Sequence, residues 1–153
     1  MDQGADVLMQ NTDSTAVVQA ANEKGKFAFG WDSDMSKFAP EAHLASAIIN
    51  WAPYYKKAVR EALDGGWKTE HNWWGLKEGA IDVVALSDKL PAEVKALVEA
   101  RKQGIKDGSF VIWRGPIVDQ AGKVMLAKDQ VADDKWMHDI KWYVKGVQGA
   151  VPK

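Results

Sequence analysis

The chain has 153 residues, 46% of them hydrophobic, so one ordinary domain's worth of core is available and disorder is excluded as the organising state. Twenty Lys plus Arg against twenty-one Asp plus Glu give a formal net charge of -1, with no basic stripe to suit nucleic acid or an anionic membrane. The absence of cysteine removes disulfides, thiolate zinc sites and cysteine nucleophiles without fixing a compartment. No apolar run approaches the roughly 18 residues of a membrane helix, and Met1-Asp2-Gln3-Gly4 does not read as a signal peptide.

In chain order, Ala5 to Gln10 predicts a short buried strand, and Asn11-Thr12-Asp13-Ser14 supplies side chains able to cap a helix. That helix is expected over 14–24, with Val17, Val18 and Ala21 on its buried face and Gly25 as its stop. Phe27 to Trp31 is the next strand, completing a βαβ unit whose strands should be parallel. Leu44 to Asn50 predicts a third strand, followed by a helix over 54–63 that buries Tyr55, Ala58, Val59 and Ala62. Ala80 to Leu86 is a further strand. Pro91 opens a helix whose stripe is Val94, Leu97, Val98, Arg101 and Ile105, closed by Gly108. Phe110 to Trp113 reads as a strand, and 116–126 as a hairpin turning at Ala121-Gly122. Lys141 to Val147 reads as a last short strand or extended segment. The pattern is α/β, a Rossmann-like, mainly parallel sheet with flanking helices.

In such a sheet ligands bind beyond the carboxyl ends of the strands, which directs attention to the loops there. Gly30-Trp31-Asp32-Ser33-Asp34 sets two carboxylates, which accept hydrogen bonds from sugar hydroxyls or base amino groups, beside an indole that can stack. Its alternative reading is a loop in which Asp32 or Asp34 caps a turn. Asn50-Trp51-Ala52-Pro53-Tyr54-Tyr55 adds an amide and three aromatics at the next strand end, although Tyr55 also fits a helix core. In the stretch 67–80, Trp73 and Trp74 must point in different directions, and Lys77 is either a ligand contact or a solvated loop lysine. Glu70 beside His71 resembles an acid/base pair, but no nucleophile signature accompanies it and it is read as surface.

Eight tryptophans in one small domain point to a surface or cleft that handles flat or apolar ligands, against the alternative that they pack the core. Catalytic signatures are absent: no GxSxG elbow, no GxxxxGK[ST] phosphate loop, no GxGxxG after a strand. His43, His71 and His138 lie far apart in sequence and show no HExxH spacing, and Asp133-Asp134 near His138 reads as a solvated loop more readily than a hard-metal site. No cofactor, no metal and no enzymatic activity are therefore expected.

The succession Gly4-Ala5-Asp6-Val7, Gly30-Trp31-Asp32-Ser33-Asp34-Met35, Asn50-Trp51 with Tyr54-Tyr55, and Trp74-Gly75-Leu76-Lys77-Glu78-Gly79 resembles the basic membrane protein (BMP) family, the PnrA-like substrate-binding proteins of ABC importers. Gly115 to Gly122 followed by Trp142 to Gly149 resembles the same family's carboxyl end. The resemblance covers nearly the whole chain. It implies a type I periplasmic binding protein, in which two Rossmann-like lobes close on a ligand, with this chain, residues 1–153, a single α/β unit supplying mostly the second lobe and hinge segments. It implies further that Asp32 holds ribose hydroxyls or a purine edge, that Lys77 is a second polar contact, and that Trp31, Trp51 and Trp74 are cleft aromatics. With Asp34 and Asn50 these make up the expected ligand site. A free purine base is favoured over a nucleoside.

Relatives in the family are about twice as long, so the resemblance also implies a chain that begins within the second lobe and lacks the aromatic clamp of the first. Weak or no purine binding and self-association of the chain are expected on that ground. The implied partner is an ABC permease, and the implied place of the full-length parent is the periplasm or a lipoprotein anchor at the membrane. Two other readings compete: a sensory or regulatory module on the same fold, and a small α/β enzyme using Asp32, Asp34 and Lys77.

Overall fold

The computed structural model describes Met1 and residues 3–152, leaving Asp2 and Lys153 outside the described residues. They divide into two compact units, Met1–Lys106 and 107–153.

The first unit is built on a four-stranded sheet in sequential order, β1 (Val7–Leu8), β2 (Phe27–Asp32), β3 (His43–Ile49) and β4 (Ile81–Val84). The β1–β2 and β2–β3 pairs are parallel, as the βαβ pattern predicts, whereas β4 runs antiparallel to β3. Helix α1 (Ala16–Glu23) buries Val18 and Ala21, with Val17 half-buried. It ends at Gly25, whose φ of +61° suits a residue without Cβ, while the Lys26 N–H donates back to the Ala21 carbonyl at 2.8 Å. The N-cap is Thr15, outside the expected run and without a side-chain cap bond, while Ser14 Oγ accepts the Ala16 N–H at 3.2 Å in a turn just before the helix. Val18, Ala21, Ala28, Met35, Ala39 and Ala42 form the core, each at most 1% exposed, with Leu8 packed against them.

Helices α2 (Ala52–Leu63) and α3 (Ala92–Asp107) are rotated from their expected settings. On α2 the inward positions are Tyr54, Lys57, Ala58 and Glu61, and the expected core residues Tyr55 and Val59 are each 59% exposed. The cause is polar: Lys57 pairs with Glu61 on its own helix and with Glu70 on the following loop, turning its side of the helix inward. On α3 the stripe runs through Val98, Lys102 and Ile105, while Val94 and Leu97 face out. Lys102 sets this rotation, because its Nζ reaches the Asp82 carboxylate at 2.8 Å and the Val83 carbonyl at 2.9 Å on β4. Pro91 stands just before α3, its carbonyl accepting the Val94 and Lys95 N–H groups.

The second unit holds the antiparallel pair β5 (Ile117–Val118) and β6 (Val124–Leu126) and the short α4 (Asp134–His138). The expected hairpin forms, its turn held by Asp119 Oδ1 accepting the Ala121 and Lys123 N–H groups at 2.9 Å each. Phe110 to Trp113 is a bend, not a strand, and 141–147 contributes a single bridge, Val144 to Asp119. Asp133 caps α4 by accepting the Trp136 N–H at 2.7 Å, while the Trp136 indole donates to the Met125 carbonyl and meets Trp142 edge-on.

Candidate ligand cleft at the strand ends

Parallel β2 and β3 finish side by side, and antiparallel β4 starts where β3 ends, so Asp32, Ile49 and Ile81 come to one rim of the sheet. The register Trp31↔Ala47↔Val83 and Ile49↔Ile81 puts these five side chains on one face. They form, with Asp32 and Leu76, an apolar pocket of about 130 Å³. Beside it lies a cleft of about 410 Å³ walled by Asn50, Trp51, Tyr54, Glu70, His71, Asn72 and Trp74. Ile49 and Ile81 line both, so the two hollows share one floor. The larger of the two falls in the roughly 300–1,000 Å³ range of small-molecule sites.

The aromatic walls are built from one helix start and one loop. Tyr54 meets Trp74 edge-on with centroids 6.1 Å apart, and Trp51 lies nearly parallel to Tyr55 at 6.0 Å. Asn50 is spent on the frame: its Nδ2 donates to the Gly79 carbonyl at 3.1 Å and its Oδ1 accepts the Ala52 N–H at 3.2 Å, tying the end of β3 to the approach to β4 and to the start of α2. The loop 70–74 is held by the Glu70–Lys57 ion pair. Those paired glutamates keep the Lys57 ammonium above its ordinary value.

Asp32 stands at the tip of β2 with φ +67°, a left-handed setting that costs an L-residue free energy and that Asp tolerates better than most. Its half-buried carboxylate has no hydrogen-bond partner among the described residues. Asp34 takes the turn-capping alternative: its carboxylate accepts the Ser36 N–H at 2.9 Å, and that bond, with the Ser36 hydroxyl, holds its carboxyl below the usual range. Lys77 is exposed in the turn 76–79 and lines neither hollow.

The structure thus brings Trp31 and Asp32 to one hollow and Asn50, Trp51 and Trp74 to its neighbour, and leaves Asp34 and Lys77 outside both. Sequence reasoning set aside His71 and did not single out Asn72 or the floor residues Ile49 and Ile81. The floor was accessible in principle, since strand-end positions on one face follow from register; the His71 position depends on the Lys57–Glu70 pair, which no local pattern announces.

The family model of PnrA-like ABC transporter substrate-binding proteins matches residues 1–112. The chain belongs to that family. A purine-binding protein of Brucella abortus is 40% identical over all 153 residues, which span 43% of that relative. A protein of Haloferax volcanii assigned as an ABC transporter glucose-binding protein is 28% identical, with 99% of this chain covering 36% of it. The chain therefore spans less than half the length of these two curated relatives. Among solved structures, a transcriptional activator from Bacillus halodurans superposes with TM-score 0.65 over 71% of this chain and 39% of its own. Solute-binding proteins of ABC transporter systems from Conexibacter woesei and Aeropyrum pernix follow at 0.56 and 0.55, covering 72% and 90% of this chain and 38% and 44% of theirs. All three are 18% identical and share the fold.

Proposed function

We propose that this chain is part of the substrate-binding component of an ABC importer, carrying one wall of a cleft for a flat heterocycle, a purine base before a nucleoside. The observation that carries the proposal is the shared Ile49–Ile81 floor between Trp31 with Asp32 on one side and Trp51, Tyr54 and Trp74 on the other. An apolar floor with aromatic edges suits a planar ring, and the open carboxylate of Asp32 suits the amino or imino hydrogens at its rim. The 40% identity to a purine-binding protein supports the same ligand class.

The mechanism is hinge closure, in which ligand favours the closed arrangement of two lobes and that arrangement engages the permease outside the cytoplasm. The polar groups of the cleft suit binding: Glu70 is tied to Lys57, and Asn50 to the Gly79 carbonyl and the Ala52 N–H. Trp51 is 56% exposed, so this wall by itself leaves a ligand open to water. A purine of about 10 heavy atoms at roughly 0.3 kcal/mol each then binds on the order of millimolar or weaker. The exposed Tyr55, Val59 and Leu63 on α2 favour self-association of the chain, which sedimentation at rising concentration measures.

The test is a titration of the chain with adenine, hypoxanthine and glucose, followed by indole signals. Shifts that grow with purine concentration and none with glucose support the reading. Equal response to glucose, or no response to any purine up to its solubility limit, overturns it. No described helix is long and apolar enough to cross a membrane.

A further inference from the structure

The loop that presents Trp31 and Asp32 stands on a buried pair of side chains for which ligand binding has no direct use. At the start of β3 the register slips: Ala28 pairs with His43 but Phe29 with Ala45, so Leu44 is an extra residue. The insertion sets His43 and Ser46 on one face, where His43 Nε2 lies 2.8 Å from Ser46 Oγ. Both are buried, at 3% and 0% exposure. Ser46 Oγ also accepts the backbone N–H of Met35 at 3.0 Å. It fits under Gly30 only because that residue lacks a Cβ, which would stand 2.2 Å from the oxygen.

A serine hydroxyl has one proton to give. With the Met35 N–H directed at Oγ, that proton is available to His43 Nε2, which accepts it when the imidazole is neutral and protonated on Nδ1. We infer that His43 and Ser46 form a proton-sensitive clasp on the loop 30–35, holding Trp31 and Asp32 in their binding positions while His43 is neutral and loosening them when it is charged. The ligand side of this inference rests on the proposed function; the clasp itself concerns only the loop.

Protonation at Nε2 turns an acceptor into a donor. Ser46 Oγ would then face two N–H groups and have no acceptor for its own proton, a mismatch that burial makes costly. Burial pushes His43 below its ordinary value, opposed by the nearby Asp34 carboxylate. Lys37, Asp88 and Lys89 share the hollow beside His43, and Lys89 is paired with Glu41. Because the folded value is the lower one, the unfolded chain binds the proton more readily. The clasp is complete above about pH 6.5 and is lost as pH falls from there through the lower folded value.

The test is amide hydrogen exchange at Met35 in the ligand-free chain, with adenine affinity measured alongside, from pH 7.5 to pH 5. The protection factor at Met35 should fall about tenfold or more on acidification while those of Val18 and Ala21 hold. His43→Gln offers an acceptor that does not titrate in this range and should remove the acid step. Ser46→Ala should show low Met35 protection already at pH 7.5, with no further step. Adenine affinity should follow Met35 protection in each protein. An acid step that persists in His43→Gln, or full Met35 protection in Ser46→Ala, overturns the clasp. Adenine that fails to bind at any pH while the Met35 step is present removes the proposed function and leaves the clasp standing; adenine binding with no Met35 step does the reverse.

Discussion

Around α1 the chain spends its apolar residues inward: Val18, Ala21, Ala28 and Met35 are closed from water by one helix lying on two parallel strands. Around α2 and the start of β4 it does the opposite. Ile49, Trp51, Tyr55, Val59, Leu63 and Ile81 are all substantially exposed, although they are larger and more apolar than the alanines of the core. Burial of such side chains is worth roughly 1.5–3 kcal/mol each, so leaving them open forgoes stability that the same composition could have supplied. What distinguishes the two regions is the polar frame. Lys57–Glu70, Lys102–Asp82 and the two hydrogen bonds of Asn50 fix α2, α3 and the strand ends without closing apolar surface over them. One region closes its apolar surface and the other leaves it open.

The largest break in this comparison comes from the closed side. Met35→Ala empties a fully buried site that also anchors the Asp32 loop, and should cost about 2–5 kcal/mol in a denaturant titration. On the open side the pattern reverses. Trp51→Ala should leave the denaturation midpoint nearly unchanged yet weaken purine binding by about 1 kcal/mol, the low end for a stacked base, read as smaller shifts of the Trp31 and Trp74 indole signals at a fixed adenine concentration. A midpoint shift as large as that of Met35→Ala would show that Trp51 is core after all.

Next is the frame. Burial pushes the Asp82 carboxyl up, but the Lys102 ammonium, the Val83 N–H and the charges of Lys102 and Lys106 outweigh it and hold it below the usual range. Burial pushes Lys102 down, and Asp82 with Glu99 more than restores it, leaving it above its ordinary value. This pair therefore contributes from above about pH 4, where unfolded Asp ionises, and fades only above about pH 10. Lys102→Met should cost about 1–2 kcal/mol at pH 7, less than a fully buried pair because Asp82 is partly solvated, and less again below pH 4. The smallest effect belongs to Lys77→Ala, which should change stability by less than about 0.5 kcal/mol and purine affinity by less than about twofold.

Much of the fold is written in local pattern. Helix α1 was legible because Val17, Val18 and Ala21 share one face and Gly25 supplies a left-handed stop; the 116–126 hairpin because Asp119 and Gly122 meet the needs of its turn. The settings of α2 and α3 were not, because Lys57 and Lys102 decide them through carboxylates far along the chain, and an apolar stripe by itself predicts burial whichever way the ion pairs pull. The direction of β4 was likewise hidden, since nothing in the four residues Ile81-Asp82-Val83-Val84 marks which way the strand runs. At the cleft, Trp31, Asp32 and Trp51 were legible from their place after strands, and Asp34 and Lys77 were not separable from them by sequence position alone. What separates them is a Ser36 N–H that takes up Asp34 and a turn that carries Lys77 out to solvent.

The central claim, a flat ring received on the Ile49–Ile81 floor, is tested most directly by following the eight indole N–H resonances through an adenine titration at pH 7.5. The account predicts shifts at Trp31, Trp51 and Trp74 that grow with adenine concentration, with Trp67, which lines neither hollow, unmoved. Shifts confined to Trp67, or none among the first three up to the solubility limit of adenine, would contradict it.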